Sequence, residues 1–69
     1  MSYQRRKVLQ VLSRHGVVVL REGGGHTILR GPSGRQSSLG RHSEVNRVTV
    51  RKIVKQLGLD PQQLSREME

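Results

Sequence analysis

The side chains best suited to acid–base chemistry in this sequence are three histidines, His15, His26 and His42. An imidazole, whose ordinary pKa is about 6.5, can give and take protons near neutral pH. His26 follows three consecutive glycines that include Gly24 and Gly25. Backbone free of side chains can come close to an anion and direct N–H groups at it. The sequence therefore predicts that His26, Gly24 and Gly25 can act together on a phosphate group.

RNA is a phosphate compound that can be cleaved without a metal ion, because its own 2′-OH is the nucleophile. A protein must then move two protons and stabilise charge on phosphorus. On this interpretation His26 is the general base or the general acid. The simpler alternative is that the glycines form a flexible hairpin loop and His26 is its exposed flank. His42 is a second proton-transfer group, a phosphate contact or only a surface-loop residue, and His15 is structural.

The sequence lacks the residues that usually bind a catalytic metal ion. There are five Asp and Glu residues, and three of them fall in the last ten residues, so the carboxylate clusters that hold Mg²⁺ are missing. There is no Cys, and the histidines do not have the short spacing of zinc ligands. We therefore expect neither a metal nor a cofactor.

The charge of the chain indicates a polyanionic partner. Thirteen Lys and Arg residues against five acids give a net charge of +8 in 69 residues, a length that predicts one domain over residues 1–69. Nucleic acid is the first candidate, an anionic membrane surface the second, and an acidic protein is also compatible. The longest apolar run, residues 17–20, is far shorter than the roughly 20 residues of a membrane span. No apolar segment has the length of a signal peptide, so a cytoplasmic location is expected.

The histidines must be positioned by a small number of elements. Apolar spacing predicts a helix over residues 4–15, with Ser2 as its N-cap and Gly16 after its end. A second helix begins after Asn46 and runs to residue 57, and a short third helix follows Asp60 as its N-cap.

Three strands are predicted between the first two helices. They cover residues 17–21, 26–30 and 35–39, and the segment 22–25 is expected to interrupt the first of them. Short connections imply an antiparallel meander. Helices on one face of a three-stranded sheet make an α+β fold of order α-β-β-β-α with a short C-terminal helix.

Strand alternation places the basic residue Arg30 on the same face as His26, and we expect it beside the imidazole. Four further bases lie on the predicted second helix: Arg47, Arg51, Lys52 and Lys55. They are either phosphate contacts or a solvated helix face. Because Tyr3 is the only aromatic residue, base stacking is not expected.

Several segments together make the chain resemble the HicA family of mRNA interferase toxins, over about residues 4–64. The segments are Gly-Gly-His at 24–26, Gly-Pro-Ser-Gly at 31–34, Arg-His-Ser-Glu at 41–44 and Thr-Val-Arg-Lys-Ile-Val-Lys-Gln-Leu-Gly-Leu at 49–59. The resemblance implies a fold like that of double-stranded-RNA-binding domains and metal-independent cleavage of mRNA. It also implies inhibition by a HicB-like antitoxin protein, and it maps the family's catalytic histidine onto His26.

The chain departs from the family pattern at several positions around this histidine. Gly25 stands where the family usually has Ser or Asp, Thr27 where it has His or an aromatic residue, and Val48 where it has Gly. The family's Pro-x-His is Gly-Arg-His at 40–42. The alternatives to a toxin are a non-catalytic RNA-binding module of the same fold and a basic structural subunit, such as a ribosome-associated protein. The sequence indicates no particular oligomeric state.

Overall fold

The fold is described by a computed structural model, which covers residues 2–69. It contains five strands and three helices in the described chain. In chain order these are β1 (Ser2–Gln4), α1 (Arg5–Arg14), β2 (Val18–Gly23), β3 (His26–Arg30), β4 (Gln36–Gly40), β5 (Glu44–Asn46), α2 (Arg47–Gln56) and α3 (Pro61–Met68). The predicted α+β fold is confirmed.

The main sheet is the predicted antiparallel meander, with strand order β2-β3-β4. Its two faces differ sharply. Thr27 and Leu29 of β3 are buried, as are Ser37 and Leu39 of β4, whereas His26 and the other residues that alternate with them face outward. The helices cover the buried face and leave the other one open, as predicted.

The core beneath this sheet is small and aliphatic. Each helix contributes one apolar stripe to it, including Val8 and Leu12 of α1, Val54 of α2 and Leu64 of α3. These stripes follow the spacing of the helical repeat, which is why the sequence predicted them. The buried stripes hold the helices against the sheet and leave most of the charged side chains of the helices exposed.

Two of the three predicted helix caps are confirmed. The Asn46 Oδ1 accepts a hydrogen bond from the Val48 N–H at 2.8 Å, and the Asp60 Oδ1 accepts one from the Gln62 N–H at 3.0 Å. The prediction that Ser2 caps α1 was wrong. Ser2 belongs to β1, and its hydroxyl donates instead to the Glu44 carboxylate on β5 at 2.5 Å.

The short ladder between β1 and β5 was not predicted. It is antiparallel and pairs Tyr3 with Val45, two residues that are both buried. Its position matters for function, because it joins the start of α1 to the segment that follows β4. The Arg5 N–H donates to the Ser43 carbonyl at 2.8 Å, which continues this connection into the helix.

Strand β2 also differs from its prediction. It runs two residues beyond the expected end at Arg21, so Glu22 and Gly23 belong to the strand, and only two glycines form the turn. Glycine does not interrupt the strand here because a two-residue turn lets the ladder continue up to it. Although β2 contains Val18, Val19 and Leu20 of the longest apolar run in the chain, every residue of this strand is exposed.

Candidate active site

The candidate site is built on the tight hairpin between β2 and β3. Gly24 and Gly25 are its two turn residues, with φ of 56° and 99°. Positive φ at both positions is what a two-residue hairpin favours, because its twist then matches that of the strands, and glycine adopts it without strain. A Cβ at either position would have no neighbour within 4 Å. The turn therefore offers open backbone to an approaching anion.

His26 is the first residue of β3 and stands on the open face of the sheet. The strand register pairs it with Gly23 on β2 and with Gly40 on β4. Residues paired across antiparallel strands point to the same face. Because both partners are glycines, neither residue directly paired with His26 carries a side chain. The exposed imidazole is thus accessible to a chain as bulky as RNA.

His42 lies next to the same place, although it belongs to the loop after β4. Its ring carbon Cδ2 is 3.4 Å from the position that a Cβ on Gly40 would occupy. The ring therefore fills part of the space left by the missing side chain, on the side of β3 where His26 stands. The structure brings His26, His42, Gly24 and Gly25 to one end of the sheet.

A basic cleft of about 660 Å³ adjoins His42. Its lining includes Arg5 and Arg6 from the first turn of α1 and Arg41 from the loop before His42. Guanidinium groups are well suited to hold phosphate oxygens, with two N–H donors in one plane. The sequence did not single out these three arginines, because the β1–β5 ladder that brings them to His42 was not foreseen.

A polar network supports the site from the buried face of the sheet. The guanidinium of Arg5 donates to the hydroxyl of Thr27 at 2.5 Å and to the carbonyl of Gly40 at 3.2 Å. The Thr27 hydroxyl in turn donates to the Glu22 carboxylate at 3.2 Å, which Arg5 also contacts at 3.3 Å. The network thus ties α1 to the neighbours of His26 in the sheet.

The same network sets the ionisation of Glu22. The hydrogen bond from Thr27, followed by that from Arg5, holds the pKa of the Glu22 carboxyl below its ordinary value, and the nearby charge of Arg41 acts in the same direction. The side chain of Glu22 is therefore an ionised carboxylate at neutral pH. Its role in the site is to compensate part of the positive charge.

Arg30 lies on the same face as His26, as predicted, but not beside it. It is at the far end of β3, and four residues of strand correspond to about 13 Å. Arg21 is closer, because it pairs with Ile28 and so sits diagonally from His26, a separation of about 7–8 Å between backbone positions. Arg21 was not among the predicted site residues, although the expected hairpin, with its loop at residues 22–25, would have placed it across from His26.

The predicted basic residues of α2 are not brought to His26. The helix lies over the buried face, where Gln56 accepts a hydrogen bond from Ser37 at 2.5 Å, whereas His26 projects from the opposite face. Arg51, Lys52 and Lys55 border a separate hollow near Asp60. We refer to these three exposed residues as the α2 basic surface.

Arg47 differs from the other bases of α2 because it is engaged within the protein. Its guanidinium lies over the ring of Tyr3, with 4.7 Å between the guanidinium carbon and the ring centroid. His15 is also engaged elsewhere, since its Nε2 is 2.9 Å from the Glu67 carboxylate on α3. This contact fits the structural role expected for His15.

Comparison with known families supplies the decisive observation. Residues 5–59 match the family described as the HicA toxin of bacterial toxin–antitoxin systems, and this match covers most of the chain. The chain belongs to the HicA toxin family. Its members are generally ribonuclease toxins, so membership implies an RNA substrate and pairing with an antitoxin in general terms. The matched segment contains the hairpin, both histidines of the site and the basic cleft.

A search of curated proteins found no match to this chain. Within residues 2–69 the structure contains no helix long and apolar enough to cross a membrane.

Proposed function

We propose that this HicA-family protein is an mRNA interferase that cleaves RNA without a metal ion, with His26 as a proton-transfer group. The observation that carries the proposal is the position of His26, an exposed imidazole between two glycines at the open end of the sheet. A ribose 2′-OH and its phosphate can reach such a ring because neither residue directly paired with it carries a side chain. Cleavage then proceeds by attack of that 2′-oxygen on phosphorus and leaves a 2′,3′-cyclic phosphate.

The groups that hold the phosphate surround this position. The backbone of Gly24 and Gly25 is open to solvent, and Arg21 lies diagonally across the ladder. Arg30 is placed to bind a phosphate further along the same RNA strand, because it lies on the same face at a greater distance. Fixed donors around a phosphate stabilise the charge that develops in the transition state.

The proposal takes residues 1–69 as one HicA-like domain that acts on cytoplasmic mRNA. Leu64 and Met68 of α3 belong to the same core as the residues of the matched segment, which supports treating the C-terminal helix as part of the unit. The partner is proposed to be a HicB-like antitoxin with an acidic surface. Covering His26 and the basic cleft with carboxylates would block RNA, and the charges are complementary.

The test uses the purified protein and an mRNA in buffer containing excess EDTA. The wild-type chain is expected to cleave, and the His26→Ala variant to be slower by about 10²- to 10⁴-fold, the usual contribution of a general acid or base. His15→Ala is the matched control, since it removes an imidazole outside the site. Equal cleavage by wild type and His26→Ala would remove His26 from the mechanism, and cleavage abolished by EDTA would contradict metal independence.

The alternative is a non-catalytic RNA-binding module of the same fold. The α2 basic surface favours it, because three exposed cations stand on the opposite side of the sheet from His26 and serve no cleavage chemistry there. The same assay distinguishes the two. Retained RNA binding without cleavage by the wild-type protein would support the binding module.

A further inference from the structure

The strand register defines an unusual space around Gly40. Gly40 faces His26 directly across the β3–β4 ladder, and a side chain at position 40 would stand next to the imidazole. That space is not left empty, because the ring of His42 enters it from the following loop. Two imidazoles therefore approach the same glycine, one from the neighbouring strand and one from two residues further along the chain.

The strand register limits how far the ring of His42 can lie from His26. Cβ positions of directly opposed residues are about 4.5–5.5 Å apart, and the ring of His42 lies 3.4 Å from the Cβ position of Gly40. The ring of His42 is thus within about 9 Å of the Cβ of His26. Both imidazoles are therefore near enough to act on one bound ribose phosphate, one at the 2′-OH and the other at the 5′-oxygen, through hydrogen bonds of about 2.8 Å.

The surroundings of the pair favour a phosphate rather than another ligand. Arg5, Arg6 and Arg41 line the cleft beside His42, and Arg21 lies diagonally from His26. The carboxylate of Glu22 is on the other face of the sheet, where Thr27 and Arg5 bind it. Glu44 borders the outer part of the cleft, and the hydroxyl of Ser2 donates to its carboxylate.

We propose that His26 and His42 form an acid–base pair, so that His42 is a second catalytic residue. This inference rests on the proposed ribonuclease function. One imidazole takes the proton of the 2′-OH while the 2′-oxygen forms its bond to phosphorus. The bond from phosphorus to the 5′-oxygen breaks, and the other imidazole, as imidazolium, gives its proton to that oxygen. The products are a 2′,3′-cyclic phosphate and a 5′-hydroxyl, with no net proton gained or lost by the pair.

Gly40 has a defined part in this arrangement. A Cβ at position 40 would stand in ordinary contact with the ring of His42, 3.4 Å from its Cδ2, so alanine fits there, whereas side chains beyond Cβ would compete with the ring for the space opposite His26. A second general acid or base adds about 10²- to 10⁴-fold to the rate. Neither imidazole alone supplies both proton transfers in one step.

The experiment compares two RNA substrates of the same sequence at fixed pH in EDTA. One carries the natural 5′-oxygen at the mapped cleavage site, and the other carries a bridging 5′-sulfur there. A thiolate, whose conjugate acid has a pKa of about 8.5 in cysteine, leaves without being protonated. Wild type, His26→Ala, His42→Ala and the control His15→Ala are measured on both substrates. Both site histidines are exposed, so neither substitution empties the core.

The pair predicts a specific pattern. His26→Ala and His42→Ala should each cleave natural RNA about 10²- to 10⁴-fold more slowly than wild type, and exactly one of them should regain nearly wild-type cleavage on the sulfur-containing RNA. The variant that recovers identifies the general acid. His15→Ala should match wild type on both substrates.

Three other results overturn the pair while leaving the proposed function in place. Cleavage of natural RNA by His42→Ala at the wild-type rate would make His42 a bystander. A slow His42→Ala variant would indicate a phosphate contact if neither variant recovers on the sulfur-containing RNA. Recovery of both variants would exclude a general base in the pair. Failure of the wild-type protein to cleave either RNA would instead contradict the ribonuclease function itself.

Discussion

The guanidinium of Arg5 at the start of α1 donates a hydrogen bond to the hydroxyl of Thr27, the residue next to His26 on β3. Thr27 is fully buried and Arg5 is partly buried, so this bond crosses the interface between the helix and the sheet. It is the most direct link between the basic cleft and the strand that carries His26. Its loss would affect both stability and the geometry of the site.

Replacing Thr27 with Val tests this link. The substitution keeps the shape of the side chain, removes the hydroxyl, and leaves Arg5 and Glu22 without a shared partner. The free energy of unfolding should fall by about 1–3 kcal/mol, because Thr27 loses its hydrogen bonds to two charged side chains, although Arg5 keeps its contacts with Gly40 and Glu22. Urea denaturation measures it. Thr49→Val, at an exposed site on α2, should change stability by less than about 0.5 kcal/mol. Equal effects at the two positions would show that the network contributes nothing.

The lowered pKa of Glu22 predicts a dependence of stability on acid. Because the folded-state pKa lies below the ordinary value of 4.5, Glu22 stabilises the fold above that pH and loses this effect as the pH falls through its folded-state pKa. In the Glu22→Gln variant the side chain at position 22 cannot ionise. The difference in Tm between wild type and Glu22→Gln should therefore shrink steadily in acid. A difference that stays constant down to about pH 2 would contradict the assigned hydrogen bonds.

The glycines around the hairpin should respond differently to alanine. Gly25 has φ of 99°, so Gly25→Ala should cost about 1–3 kcal/mol of stability. Gly23 lies in the strand with nothing within 4 Å of a Cβ position, so Gly23→Ala should fold normally. The new methyl group would stand beside His26 and should lower RNA cleavage. Thermal unfolding and cleavage rates measured together separate the two effects, and a fully active Gly23→Ala would argue against close approach of RNA on that side.

The α2 basic surface can be tested through the salt dependence of binding. In an inactive His26→Ala background, replacing Arg51, Lys52 and Lys55 with Ala removes three cations. If all three contact phosphates of single-stranded RNA, the slope of log affinity against log salt should decrease in magnitude by about 2. Arg66→Ala, on α3, is the single-charge control and should leave the slope unchanged. An unaltered slope in the triple variant would assign these residues to a solvated face.

Most of the fold could be predicted from local sequence patterns, because helix periodicity and helix capping depend on interactions between residues close together in the chain. The apolar stripes of α1 and α2 follow the helical repeat, and Asn46 and Asp60 bond to N–H groups only two residues away. The β1–β5 ladder was missed because its strands are three residues long and pair across more than forty residues of chain, as in Ser2 with Asn46. Neither segment is long enough to show alternation, and Ser2 was therefore given the wrong role.

In the candidate site, too, some features follow from local sequence and others depend on contacts between distant segments. The exposed position of His26 follows from its place next to a glycine hairpin, and the shared face of His26 and Arg30 follows from strand alternation. Both features can be predicted from the sequence. The proximity of His42 to His26 depends on the register of β3 with β4, and the position of Arg5 depends on how α1 docks against the sheet. Such relationships arise only when distant segments are brought together.

Gly40, the glycine opposite His26, offers a position at which the proposed ribonuclease activity can be adjusted in steps. Gly40 faces outward, away from the core beneath the sheet. Side chains of increasing size at position 40, from alanine to valine to leucine, would therefore take up more and more of the space next to His26 and His42 without entering the core. On the proposed function, a graded set of variants made there would differ in cleavage rate, and because the proposed antitoxin covers His26, they would also differ in how tightly it binds.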